Sequence, residues 1–303
     1  MNQAARASVA QLKGVFGFPV TPFHADLSLD LKSLQRNVEE MSSYPFCALV
    51  AAGGTGEIYS LTAEEVEAVV ATTVRAAKGR MPVVAGTGFN ASTGADVAKR
   101  VARAGAELIL ALPPYYVNAP EDGLFAYYEA IGRATDMPMM VYSRDWAIFT
   151  PEMVSRLADR VPNLVAWKDG QGDIRKLSRI MESVGDRMAW FGGLGDDCVP
   201  GYFAIGVQAY TSSISNVAPK LSLALAEAGM KRDFTRLSDL MKRYVNPFYA
   251  LRERMKGYEV ATVKEGMEIL GMHAGPVRPP LTACRPKDRQ DLDAIMQIYR
   301  EMR

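Results

Sequence analysis

The chain has 303 residues, of which 49% are hydrophobic and 23% charged, and a formal net charge of +1. That is the composition of an ordinary globular protein, and the balanced charge argues against nucleic acid or an anionic membrane as a partner. No apolar run approaches the roughly 20 residues of a membrane helix, and residues 1–10 lack the apolar stretch of a secretory signal. Cys47, Cys198 and Cys284 are far apart and odd in number. They suggest a reducing, cytoplasmic compartment, not a disulfide framework or a thiolate metal site. His24 and His273 are the only histidines, which excludes a zinc site with three of them and argues against a Ser-His-Asp triad.

Taken in chain order, short continuous apolar runs fall at residues 14–20, 48–52, 82–86, 107–112, 138–142, 164–168, 188–192 and 207–211. Such runs mark parallel strands covered on both faces. Helical patterns follow most of them. Thr62-Ala63-Glu64-Glu65 is a capping box, Val66, Val69, Val70 and Val74 repeat at helical spacing, and Gly79 supplies a stop. Val97, Val101 and Ala104 repeat the pattern before Gly105, and Thr150-Pro151 sets a capping hydroxyl before a proline at the first helical position. This alternation predicts an α/β fold, a (β/α)8 TIM barrel over residues 1–225. An open doubly wound sheet is the alternative, since periodicity does not show closure. Beyond residue 217 the strand signal stops, and residues 226–303 read as a C-terminal helical extension packed on the barrel.

In a barrel, chemistry collects where strands end and the next loops begin. Lys168 ends the sixth run, in Leu164-Val165-Ala166-Trp167-Lys168-Asp169-Gly170. Burial disfavours the ammonium form, and a neutral amine beside a cleft attacks carbonyl carbons, so Lys168 is a candidate Schiff-base residue. The bland reading is a strand-end lysine reaching out to solvent. On the neighbouring fifth strand, Tyr142 could move protons at the Schiff-base carbon, or be structural. Arg144 could grip a carboxylate in bidentate fashion, or pair with Asp145. The second strand runs into Gly53-Gly54-Thr55-Gly56-Glu57, whose backbone N–H groups and hydroxyl could hold an anion. Glu57 reads as a loop anchor rather than a catalytic acid. The eighth strand ends at Thr211-Ser212-Ser213, with Asn216 just beyond. Gly86-Thr87-Gly88-Phe89-Asn90-Ala91 matches the dinucleotide fingerprint, but it follows the third strand and Glu107 precedes its strand instead of ending one. Both features argue against a nucleotide site.

These residues resemble the Schiff-base lyase family that includes dihydrodipicolinate synthase and N-acetylneuraminate lyase. Within it the chain most resembles the branch of 5-dehydro-4-deoxyglucarate dehydratases. The likeness runs from Phe18-Pro19-Val20-Thr21-Pro22-Phe23 to Gly275-Pro276-Val277-Arg278-Pro279-Pro280-Leu281-Thr282, and includes Lys168-Asp169-Gly170 followed by Gly172-Asp173. The resemblance implies a barrel with a helical C-terminal region, usually a homotetramer built from dimers, acting on a keto sugar acid. Lys168 would form the Schiff base and Tyr142 would handle protons. Gly54 and Thr55 would hold the keto-acid carboxylate, and Arg144, Ser212 and Asn216 would face the distal part of the substrate. Tyr116, in Pro113-Pro114-Tyr115-Tyr116, belongs to a pair through which synthases reach a neighbouring subunit's site. Ser143 and Trp146 depart from the dehydratase pattern, which usually has asparagine at both positions. The implied reaction is dehydration with decarboxylation, needing no metal or organic cofactor. The alternatives are a class I aldolase releasing pyruvate and a non-catalytic keto-acid-binding protein.

Overall fold

The structure, a computed structural model, describes residues 8–115 and 118–303. The expectation for Tyr116 lies outside the described residues. Eight parallel strands close into a barrel in sequence order: β1 (Gly14–Gly17), β2 (Ala48–Ala51), β3 (Val83–Phe89), β4 (Leu108–Pro114), β5 (Met139–Ser143), β6 (Leu164–Asp169), β7 (Ala189–Gly192) and β8 (Ala209–Ser212). β1 pairs with β8 from Gly14–Ala209 to Gly17–Ser212, so the sheet has no free edge. The open-sheet alternative is thereby excluded.

Helices cover the outside: α1 (Leu31–Met41), α2 (Ala63–Ala77), α3 (Ala91–Arg103), α4 (Glu121–Gly132), α5 (Pro151–Arg160), α6 (Ile174–Val184), α7 (Val199–Ala204) and α8 (Pro219–Met230). Their starts are set locally. Thr62 and Glu65 form the capping box of α2, Asn90 caps α3 and Thr150 caps α5 ahead of Pro151. The stop of α2 begins one residue before Gly79, because Lys78 already takes the left-handed conformation at φ 52°.

Alternation along each strand splits its side chains between two cores. Phe16, Val50, Val84, Leu110, Met140, Ala166 and Phe191 fill the barrel interior. Val15, Leu49, Val83, Ile109, Val141 and Trp167 pack against the helices. β1 stops short of the predicted Val20. Beyond Gly17 its backbone is taken over by side chains of the loop after β8: Ser215 Oγ accepts from Phe18 N at 3.3 Å and Asn216 Oδ1 from Val20 N at 3.2 Å.

After α8 the chain is helical, and the expected boundary at 225 falls inside α8. Helices α9 (Phe234–Leu240) and α10 (Asn246–Arg252) run on through a π turn at Met241–Val245. Pro247 explains the widened turn, since it has no N–H and its ring crowds the preceding carbonyls. Next come α11 (Tyr258–Ile269) and α12 (Pro286–Tyr299). Lys264 and Arg278 are among the cations that fasten this region to the barrel. Lys264 on α11 meets Glu57 at 2.5 Å, both fully buried. Arg278 donates to both carboxylate oxygens of Glu65 and to the carbonyls of Leu27 and Ser60.

Candidate active site

A cavity of about 680 Å³ opens at the C-terminal ends of the strands, and Phe18, Gly54, Thr55, Tyr142, Arg144 and Lys168 all line it. Strand parity explains the lysine. Ala166 points into the barrel and Trp167 points out onto the Phe149 ring at 4.9 Å, so Lys168 points in again. It is only 4% exposed. Its Nζ lies 3.5 Å from the centre of the Tyr142 ring and 5.0 Å from that of Phe18. Burial, reinforced by the Arg144 charge and opposed by Asp169, holds the amine well below the usual lysine range. The shift favours the free-base, nucleophilic form of Lys168.

Two glycines make room for this arrangement. A Cβ at Gly193 would stand 2.4 Å from Lys168 Cγ, and one at Gly170 would stand 2.4 Å from the Tyr142 ring. Tyr142 donates from its phenol to the Gly193 carbonyl at 3.2 Å and accepts from Arg144 Nη1 at 3.3 Å. Burial raises the phenol's pKa, with Arg144 pulling the other way. The phenol keeps its proton, yet a cation beside it would stabilise a passing phenolate. Arg144 also makes the expected contact with Asp145, at 3.4 Å.

Gly54 and Thr55 reach the cavity on the loop after β2. A Cβ on Gly54 would meet nothing within 4 Å among the described residues. Beneath the loop, Thr21 Oγ1 donates to the Gly56 carbonyl at 2.7 Å. Glu57, in the left-handed region at φ 56°, accepts from Arg278 N at 3.0 Å and pairs with Lys264. Glu57 is thus the anchor its position predicts. The fingerprint glycines have a packing explanation: a Cβ at Gly86 would come within 2.0 Å of the Ala52 carbonyl.

Ser212 and Asn216 are placed beneath the cavity wall. Ser212 is outward on β8 and fully buried, donating to Asp196 and sharing a 2.8 Å hydrogen bond with Ser222. Asn216 binds the backbone of Phe18, Val20 and Ser213. Their neighbours Thr211 and Ser213 line the cavity instead, together with Asp197 from the loop after β7 and Arg252 from α10. Strand alternation would have favoured Thr211 over Ser212. The run Gly192-Gly193-Leu194-Gly195 could have pointed to Gly193. No local signal marks Asp197 or Arg252.

A closed barrel with a buried lysine at the end of β6, a tyrosine on its flank and a glycine-rich loop lining the same cavity defines a class of enzyme. It is the class that forms an imine with a 2-keto acid in a cleft. The chain belongs to the dihydrodipicolinate synthetase family, whose model matches residues 11–299. It is 40% identical over 286 residues to a Bradyrhizobium diazoefficiens protein named a probable 5-dehydro-4-deoxyglucarate dehydratase, covering 94% of this chain and 91% of the relative. A Saccharopolyspora erythraea protein of the same name is 40% identical over 291 residues, covering 95% of this chain and 93% of that one. Among solved structures, dihydrodipicolinate synthase from Bacillus clausii superposes with a TM-score of 0.91 at 28% identity, over 97% of this chain and 99% of that one.

Proposed function

We propose that the protein is a lyase that dehydrates and decarboxylates 5-dehydro-4-deoxyglucarate to 2,5-dioxopentanoate through a Schiff base on Lys168. The observation that carries this reading is the buried amine of Lys168, lying over the Tyr142 ring in a cavity of ligand size. The names of the relatives supply the substrate.

Lys168 attacks the C5 ketone, and loss of water gives an iminium. The Gly54–Thr55 loop holds the adjoining C6 carboxylate. The iminium acidifies C4, and removal of a C4 proton gives an enamine. The enamine expels the C3 hydroxyl, which leaves as water after taking a proton from the Tyr142 side, where Arg144 steadies the phenol oxygen. The product is an iminium conjugated through C4 to C3. Cleavage of the C1–C2 bond releases CO2 and sends its electron pair into that conjugated system. The resulting dienamine takes a proton at C4, which regenerates the iminium, and the C2 enol ketonises by taking a proton at C3, which makes C2 an aldehyde. Hydrolysis of the iminium then restores Lys168 and frees the product. Dehydration builds the electron sink that decarboxylation needs, so the lysine suffices as the covalent catalyst.

The same reading takes the enzyme as cytoplasmic and as a homotetramer of paired dimers. Exposed aromatic residues at the cavity mouth, Tyr59, Tyr115 and Trp146, supply apolar surface for such contacts. Product analysis by NMR after incubation with 5-dehydro-4-deoxyglucarate tests the reaction. Dioxopentanoate with CO2 is expected. Pyruvate with tartronate semialdehyde would make the protein an aldolase, and no turnover would remove this substrate.

A further inference from the structure

Two guanidinium groups line the cavity, and they are differently committed. Arg144 is bound to Tyr142 and Asp145 beside the lysine. Arg252 enters from α10, outside the barrel. Its Nη1 donates to Ser213 Oγ at 3.0 Å, and its guanidinium lies 4.5 Å from the centre of the Tyr249 ring, which fixes its plane. Its Nε is buried without a hydrogen-bond partner among the described residues, and so is Asp197 Oδ1 on the same wall. Asp196 does not take up the spare donor, because Ser212, Tyr249 and the Ile214 N–H already serve it.

Buried polar groups in folded proteins are nearly always satisfied, and each exception calls for a partner. Here a positively charged donor and an acceptor feel each other's charge, yet each lacks a hydrogen-bond partner among the described residues at the edge of one cavity. A carboxylate answers the first and a hydroxyl the second. We propose that Arg252 selects a dicarboxylic substrate by binding the carboxylate remote from Lys168, while Asp197 accepts a hydrogen bond from the hydroxyl next to it. This rests on the reaction proposed above, in which C1 is a carboxylate and C2 carries a hydroxyl. The carboxylate held by Arg252 is the group that departs as CO2, so the guanidinium serves recognition: it binds ground state and transition state alike until the bond breaks. Its loss raises KM more than it lowers kcat.

The test uses the full chain and two unreactive 2-keto acids of equal length, 2-oxoadipate and 2-oxohexanoate. Half-saturation is read from borohydride trapping on Lys168, with pyruvate reporting the lysine end alone. The wild-type protein is expected to favour the diacid by about tenfold or more, as a charge-assisted bidentate contact implies. Arg252→Gln is expected to abolish that preference and leave pyruvate unchanged, with Arg252→Lys in between. A diacid preference that survives in Arg252→Gln, or is missing from the wild type, would overturn the proposal. Loss of pyruvate trapping in both variants would make Arg252 a structural residue and also overturn it. Failure of the wild type to trap any keto acid would instead remove the Schiff base itself.

Discussion

The Lys168 amine lies near the Phe18 and Tyr142 rings, and four influences on its proton compete there, of which the Asp169 carboxylate favours the ammonium. The ring faces attract an ammonium, by roughly 0.5–2 kcal/mol. Removing the charge from water costs several kcal/mol, and Arg144 adds a like charge. The last two win, so the native lysine gives up its proton below its ordinary range. The sign for activity follows directly. Above the depressed pKa the amine is free to attack; as the pH falls through it, protonation removes the nucleophile and imine formation slows. Arg144→Gln takes away one of the groups that depress the pKa, so the ammonium persists to higher pH. The acid limb of pyruvate trapping, followed against pH, is expected to move upward in this variant. A limb that stays in place or moves downward would show that the Arg144 charge does not act on Lys168.

The loop that presents Gly54 and Thr55 is held by a contact between distant parts of the chain, Glu57 after β2 and Lys264 on α11. Burial lowers the Lys264 pKa to about 8, with Glu57 opposing the shift. Charges buried as a pair are most costly when one is removed, because the other is left in a medium that cannot solvate it. Lys264→Met is therefore expected to destabilise the fold by about 3–5 kcal/mol, measured as a fall in the urea midpoint. Glu57→Gln combined with Lys264→Met should recover part of that loss. A double variant as unstable as the sum of the two singles would contradict the coupling. Much at this level is written locally. The capping box at Thr62, the proline start at Thr150-Pro151 and the eight apolar runs all become elements near their expected bounds. The ends of strands are less legible. β1 gives up its ladder at Gly17 because Ser215 and Asn216 take its next donors, a partnership set by how β8 lies beside β1. For the same reason Ser212 faces Asp196 and Ser222 while Thr211 faces the cavity: the side of the sheet depends on parity, which a motif alone does not carry.

Closure of the barrel turns residues scattered along the sequence into one chamber, and that step is where local reading ends. That Lys168, Tyr142 and Thr55 line one cavity could be anticipated, because the first two sit at strand ends and Thr55 on the loop after one, where barrel geometry brings side chains together. Arg252 and Asp197 could not, since the seating of α10 depends on tertiary packing of its buried Phe248 and Leu251, which no motif in the sequence announces. The chamber is wide enough for a six-carbon diacid, carries its nucleophile at one place and at another a guanidinium whose Nε has no partner among the described residues, and draws its walls from both the barrel and the helices beyond it. The whole account turns on a covalent bond to one amine. Borohydride quenching during turnover of 5-dehydro-4-deoxyglucarate, followed by peptide mass spectrometry, tests that bond most directly. The expected result is a reduced substrate-derived adduct on the peptide containing Lys168, absent from Lys168→Ala along with turnover. Undiminished turnover in Lys168→Ala, with no adduct on that peptide in the wild type, would contradict it.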